Sequence, residues 1–121
     1  MNNTLNWVEI PALDIHRAAA FYGALFATPL TVVAGEVRNV VILPHEPGGV
    51  GASLNQTKGF QPGDKGPMIY LNGGQDLAPM LARVEPAGGV IVEPKTDLGG
   101  NGFYAIFRDT EGNHVGLMSA G

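Results

Sequence analysis

The opening segment Asn6-Trp7-Val8-Glu9-Ile10-Pro11 sets a carboxylate beside an indole in what reads as one β-strand. Side chains alternate across a strand, so Val8 and Ile10 point to one face and Trp7, Glu9 and Pro11 to the other. Val8 and Ile10 suit a core beneath the helix that follows. Glu9 then stands on the far side of the sheet, next to Trp7. A carboxylate desolvated in such a place holds its proton more tightly and can act as a general base or hydrogen-bond acceptor. The plain alternative is an ion pair with Arg38, Arg83 or Arg108, which makes Glu9 structural. Trp7 offers a flat wall to a planar or apolar ligand, or else it packs in a core or an interface.

The histidines widen the set. His114 shares strand parity with Gly116 and Met118 and sits near a hairpin turn. There it either touches a ligand or is a solvated turn residue. With Glu9 it would give only two metal ligands, a weak site. His45 lies in the loop Pro44-His45-Glu46-Pro47-Gly48-Gly49, and loops carry function more often than helix surfaces do. His16 falls off the apolar stripe of its helix and is assigned to solvent. Phe103, Tyr104 and Phe107 share one strand whose cup-facing parity the sequence leaves open, with packing as their default role. Gly99-Gly100-Asn101-Gly102 lacks the strand, helix and Lys of a phosphate loop and reads as a flexible connection. No Ser/His/Asp arrangement stands in a recognisable context.

Composition narrows the classes. The chain has 121 residues, 45% hydrophobic and 15% charged, which describes one globular domain with a proper core. A net charge of −4 and the absence of any Lys/Arg run argue against nucleic acid. Zero Cys removes disulfides, thiolate metal sites and a Cys nucleophile together, and fits a reducing cytoplasm. No basic segment leads into an apolar stretch at the N-terminus, so no signal peptide is expected. No run approaches the roughly 18 apolar residues of a membrane span.

The elements that must position these residues come twice. Asp14 is a good N-cap, and Ala18, Phe21, Tyr22 and Leu25 follow at helical spacing until Thr28-Pro29. Strands are expected at Leu30–Val33, Val37–Leu43 and Val50–Leu54. Then Met68–Leu71 reads as a strand and Asp76 as a second cap. Leu77, Met80, Leu81 and Val84 form a second stripe, with Pro79 in the first turn and Pro86-Ala87-Gly88-Gly89 as the stop. Val90–Glu93, Phe103–Arg108 and His114–Met118 are the last three strands. Each half is thus βαβββ, module 1 at about 1–60 and module 2 at about 61–121, an internal repeat of element order. Joined edge to edge, the half-sheets would curl into a cup, and a concave, partly apolar site is the default place for a small ligand.

This order, with Asp14-x-x-Arg17-Ala18-x-x-Phe21-Tyr22 and Asp109-Thr110-Glu111-Gly112-Asn113-His114-Val115-Gly116-Leu117, resembles the vicinal oxygen chelate superfamily. That group includes glyoxalase I, bleomycin-resistance proteins and extradiol dioxygenases. The resemblance covers essentially the whole chain. It implies an α+β fold whose two modules form a curled mixed sheet, a glyoxalase-like cup with helices on the outer face. It also implies a homodimer, and a metal held by His, Gln or Glu from the first and last strands of each module. Those positions fall on Trp7, within Gly51-Ala52-Ser53, on Pro67 and on Gly116, none of them a usual metal ligand. No cofactor is therefore expected.

The leading expectation is a cytoplasmic small-molecule-binding protein without the family metal, its cup lined by Trp7, Glu9, Ile69, His114 and Met118. The alternatives are a lyase or isomerase with Glu9 as general base, or a metal-dependent enzyme with altered ligands such as Glu9, His114 or His45. A purely structural or interaction module is a third class, since a fold does not fix a function. Neither nucleic acid nor membrane is an expected partner.

Overall fold

In the computed structural model, which describes residues 3–121, local signals become elements in the anticipated order. They are β1 (Trp7–Pro11), α1 (Ile15–Leu25), β2 (Val32–Ala34), β3 (Arg38–Ile42) and β4 (Gly51–Thr57) in the first half. The second half contains β5 (Tyr70–Asn72), α2 (Ala78–Ala82), β6 (Val90–Asp97), β7 (Phe103–Arg108) and β8 (His114–Ser119). Asp14 caps α1 from an extended backbone, its Oδ1 accepting from His16 N and Arg17 N at 3.1 Å each. The second cap is shifted. Leu77 already has helical angles, yet Asp76 Oδ1 still accepts from Ala78 N at 2.9 Å.

The strands form two four-stranded sheets, ordered β1-β4-β3-β2 and β5-β8-β7-β6. In each, the first strand runs parallel to the last and the other neighbours are antiparallel. The helix is the crossover that a parallel pair requires. This is the duplicated βαβββ, α+β architecture. Among the described residues no ladder joins β1 to β5, so the sheets stay separately hydrogen-bonded and open along those edges.

Both sheets turn their helix-covered faces to one core. Ile10, Val41 and Leu54 of the first sheet and Ala105, Phe107, Val115 and Leu117 of the second belong to the same buried cluster. Helix α1 bridges them, with the Phe21 ring 5.7 Å from that of Phe107. Tyr22 Oη donates to Asp109 Oδ2 at 2.7 Å. Asp109 also organises its own turn. Its Oδ1 accepts from Glu111 N and Asn113 N at 2.9 Å each, while Gly112 takes a φ of +98°. Asn113 Nδ2 reaches across to Pro11 O at 2.8 Å and pins β1 to the second module.

Register fixes what lies on the opposite, open faces. Trp7, Glu9 and Pro11 stand beside Gly51, Ser53 and Asn55, with Ile42, Val40 and Arg38 beyond. On the second sheet, Tyr70 pairs Gly116 and Tyr104 pairs Met118, which places Tyr104 on the open face and Phe107 in the core.

Candidate functional site

A cleft of about 590 Å³ opens along the β1 edge, between it and the segment leading into β5. Trp7, Glu9, Phe60, Met68, Ile69 and His114 are among its walls. Trp7, Glu9, Ile69 and His114 therefore line one cleft. Met118 is not with them. It faces a shallow depression with Tyr70 and Asn72 on the open side of the second sheet.

Trp7 is held on two sides. Its Nε1 donates to Ser53 Oγ at 3.1 Å, and its ring meets His45 edge-on with centroids 5.3 Å apart. His45 is fixed in turn, with Nδ1 at 3.1 Å from Leu43 O and its ring seated over Gly51. The loop histidine is therefore a buttress for the indole. The indole itself remains 39% exposed, a fixed wall with a free side.

Glu9 takes the plain alternative. Its Oε2 accepts from Arg38 Nη1 at 3.3 Å, and its side chain is 47% exposed. At that exposure its carboxylate stays in contact with water. His114 lines the cleft, while its backbone N donates to Gly63 O at 3.4 Å. His16 is exposed, as its place off the helical stripe implied.

The metal that the fold would carry does not fit this side-chain set. At the paired strand positions Trp7 and Gly51 there is no donor, and the room above Gly51 is taken by the His45 ring. In the second sheet Gly116 pairs with Tyr70, whose ring fills the room above it, while Pro67, ahead of β5, lines the cleft and offers no ligating group. Among the described residues no three His, Cys, Asp or Glu side chains converge to hold an ion. No step of chemistry is routed through a metal here.

Two features lay outside the sequence reading. Ser53 and Asn55 form a buried polar pair on the open face of the first sheet, Asn55 Nδ2 donating to Ser53 Oγ at 2.9 Å. On the second sheet Tyr104 Oη donates to Glu93 Oε1 at 3.1 Å, and that bond with partial burial raises the phenol pKa. Tyr70 leans edge-on against Tyr104, centroids 6.5 Å apart. The signal for the first pair was the alternation of Ser53 and Asn55 with Ala52 and Leu54, one step past the expected strand end.

With this geometry the chain matches the model of the Glyoxalase/Bleomycin resistance protein/Dioxygenase superfamily over residues 4–117, and it belongs to that family. Among solved structures it is similar to a glyoxalase/bleomycin resistance protein from Albidiferax ferrireducens T118, with TM-score 0.72 and 20% identity, covering 97% of this chain and 98% of that one. It is similar to a glyoxalase-related enzyme from Fulvimarina pelagi, with TM-score 0.71 and 15% identity over 98% of this chain and 88% of the other. It also resembles TnmS3, an antibiotic-binding protein from Streptomyces sp. CB03234, with TM-score 0.68 and 20% identity over 100% and 99%. At these identities the likeness establishes the fold. No curated protein matches the sequence.

Proposed function

We propose that the protein binds a planar, largely apolar small molecule in the cleft beside β1, without a metal. The observation that carries this is the fixed Trp7 wall, 39% exposed, which lines a space of about 590 Å³ together with Met68 and Ile69. A preorganised aromatic surface binds flat ligands at low entropic cost. His114 and Glu9 supply polar rims. A fold-mate described as antibiotic-binding fits this reading. A cytoplasmic setting completes it, and no described helix is long and apolar enough to cross a membrane.

Catalysis through Glu9 is the second reading, and the Arg38 ion pair weighs against it. A carboxylate engaged by a guanidinium must first leave that partner to reach a substrate proton. A homodimer is retained as part of the proposal. Trp7, Ile42 and Val33 on one open face, and Tyr70 and Met118 on the other, are apolar and exposed. Light scattering after size exclusion tests it, and a monomer at micromolar concentration would refute it.

The test of binding uses the single Trp as its own reporter. In a fragment library screened by NMR, planar aromatics should shift the Trp7 indole N–H and the Ile69 methyls together. Hits that shift only other surfaces would overturn the reading.

A further inference from the structure

Asn55 is 1% exposed, and among the described residues its Oδ1 has no hydrogen-bond partner. A buried acceptor left unpaired is unusual enough to need an explanation. Its surroundings give one. Asn55 shares the open face with Trp7, and two hydrogen bonds link them: Trp7 Nε1 to Ser53 Oγ, and Asn55 Nδ2 to the same oxygen. Ser53 Oγ thus accepts twice, and its own hydroxyl proton is uncommitted.

What covers Asn55 on an otherwise open face is read from the register. Glu9 stands beside Ser53 on one flank of β4, and Arg38 stands beside Thr57 on the other. A line from Glu9 to Arg38 crosses β4 at Asn55. The register thus runs the 3.3 Å ion pair across the Asn55 position, where it can serve as a roof, with Pro11 and Val40 beside Asn55 on the flanking strands. Glu9 lines the cleft beside Trp7, whereas Arg38 lines a second cleft of about 440 Å³, so the pair also stands between the two. Both partners are about half exposed, at 47% and 52%, and ion pairs of that kind open readily.

We infer that Ser53 and Asn55 form a polar anchor beneath a movable Glu9–Arg38 roof, built for a planar ring compound carrying an N–H donor beside an acceptor, as in a lactam. The ligand ring lies on Trp7, its N–H donates to Asn55 Oδ1, and its carbonyl accepts from the Ser53 hydroxyl. Roof opening admits this polar edge, and Glu9 and Arg38 then return to solvent. The inference rests on the ligand-binding reading above and assigns its polar end.

The experiment compares 2-quinolone with N-methyl-2-quinolone, which differ only at the donor, by titration against the Trp7 indole signal. The expected result is about tenfold tighter binding of the N–H compound, the worth of one well-made hydrogen bond to a buried group. In Asn55→Leu that preference should vanish while the protein stays folded. In Arg38→Met, which removes the roof but not the anchor, 2-quinolone should bind several-fold tighter with the preference kept. Equal binding of the two compounds by the unaltered protein, or a preference that survives Asn55→Leu, would overturn the anchor while leaving a ligand site at Trp7. Loss of binding in Arg38→Met would make the guanidinium the anchor and likewise overturn it. Silence of Trp7 toward both compounds would sink this inference, while the fragment screen judges the broader reading separately. Should Asn55→Leu not fold, the N–H preference and the Asn55 amide shift in the unaltered protein decide.

Discussion

Arg17 and Glu111, from opposite modules, meet in a two-point contact: Nε to Oε2 at 2.7 Å and Nη2 to Oε1 at 3.1 Å. The same Oε1 accepts from Leu13 N and Asp14 N at 2.8 and 2.7 Å, so one carboxylate closes the N-terminus of α1 onto the β7–β8 turn. The Glu111 side chain is 1% exposed. Burial opposes its charge, but hydrogen bonds from Arg17, Asp14 N and Thr110 outweigh that cost and hold its pKa below the ordinary 4.5. A depressed carboxyl stabilises the fold fully above its unfolded value and loses that contribution as pH falls through the folded one. Stability measured by urea unfolding should therefore drop below pH 4.5, and Glu111→Gln should flatten that dependence. At neutral pH the substitution should cost about 3 kcal/mol, because Arg17 and two amides lose a charged acceptor.

Tyr22→Phe isolates a second bond between modules. Asp109 Oδ2 keeps its bond from Asn113 Nδ2 at 2.9 Å, so the turn survives while the phenol's contribution is lost. A cost of about 2 kcal/mol in thermal or chemical unfolding is expected, with unchanged contacts between Phe21 and Phe107. A neutral result would mean that Asp109 needs only its own turn.

Gly51→Ala bears on the support of Trp7. A Cβ there would lie 2.7 Å from the His45 ring, so the ring must move. Loss of about 1 kcal/mol and a changed Trp7 emission spectrum should follow, since overpacking displaces the buttress first. An unchanged spectrum would show that His45 does not hold the indole.

Trp7→Ala and Glu9→Gln separate binding from catalysis. The first should remove affinity for planar ligands, at least tenfold by titration, because the stacking wall is gone. The second should leave the affinity for a neutral ligand nearly intact. Any turnover that disappears in Glu9→Gln, with binding retained, would favour the general-base reading instead.

Metal retention is the third discriminator. After dialysis against Ni, Zn, Mn and Fe(II) and removal of excess, elemental analysis should find far less than one ion per chain. Near-stoichiometric retention would point to Glu9 with His114 or His45 and revive metal chemistry.

Where one rule governed a segment, the sequence was legible. Asp14 and the stripe Ala18, Phe21, Tyr22 and Leu25 marked α1 because capping and a 3.6-residue period agree there. β6 ran past its expected end at Glu93 because Pro94 argues for a stop. The strand is the outer edge of its sheet and bulged on both sides of Glu93, where a missing N–H costs no ladder bond. β5 begins at Tyr70, later than Met68; Ile69 O still accepts from Gly116 N at 2.9 Å, while Met68 and Ile69 line the cleft. At the site, Trp7 and Glu9 were visible as a strand pair. That Arg38 rather than Arg83 or Arg108 meets Glu9 depends on three-strand register, which no local pattern carries. Arg83 instead donates to Leu25 O at 3.1 Å and closes the end of α1. The orphaned oxygen of Asn55 is invisible without knowing what lies over it.

The rings seated over Gly51 and Gly116 set the order in which this face could change. A carboxylate introduced at Gly51 would collide with His45, and a histidine at Gly116 would collide with Tyr70. Each donor could enter only as its neighbouring ring gives way, as His45 must for the smaller Gly51→Ala, and each such shift loosens an aromatic contact. A set of three or more donors would need several such coupled adjustments. The two glycines thus tie any donor at these positions to the ring seated above it, so this face changes in pairs of residues rather than one at a time.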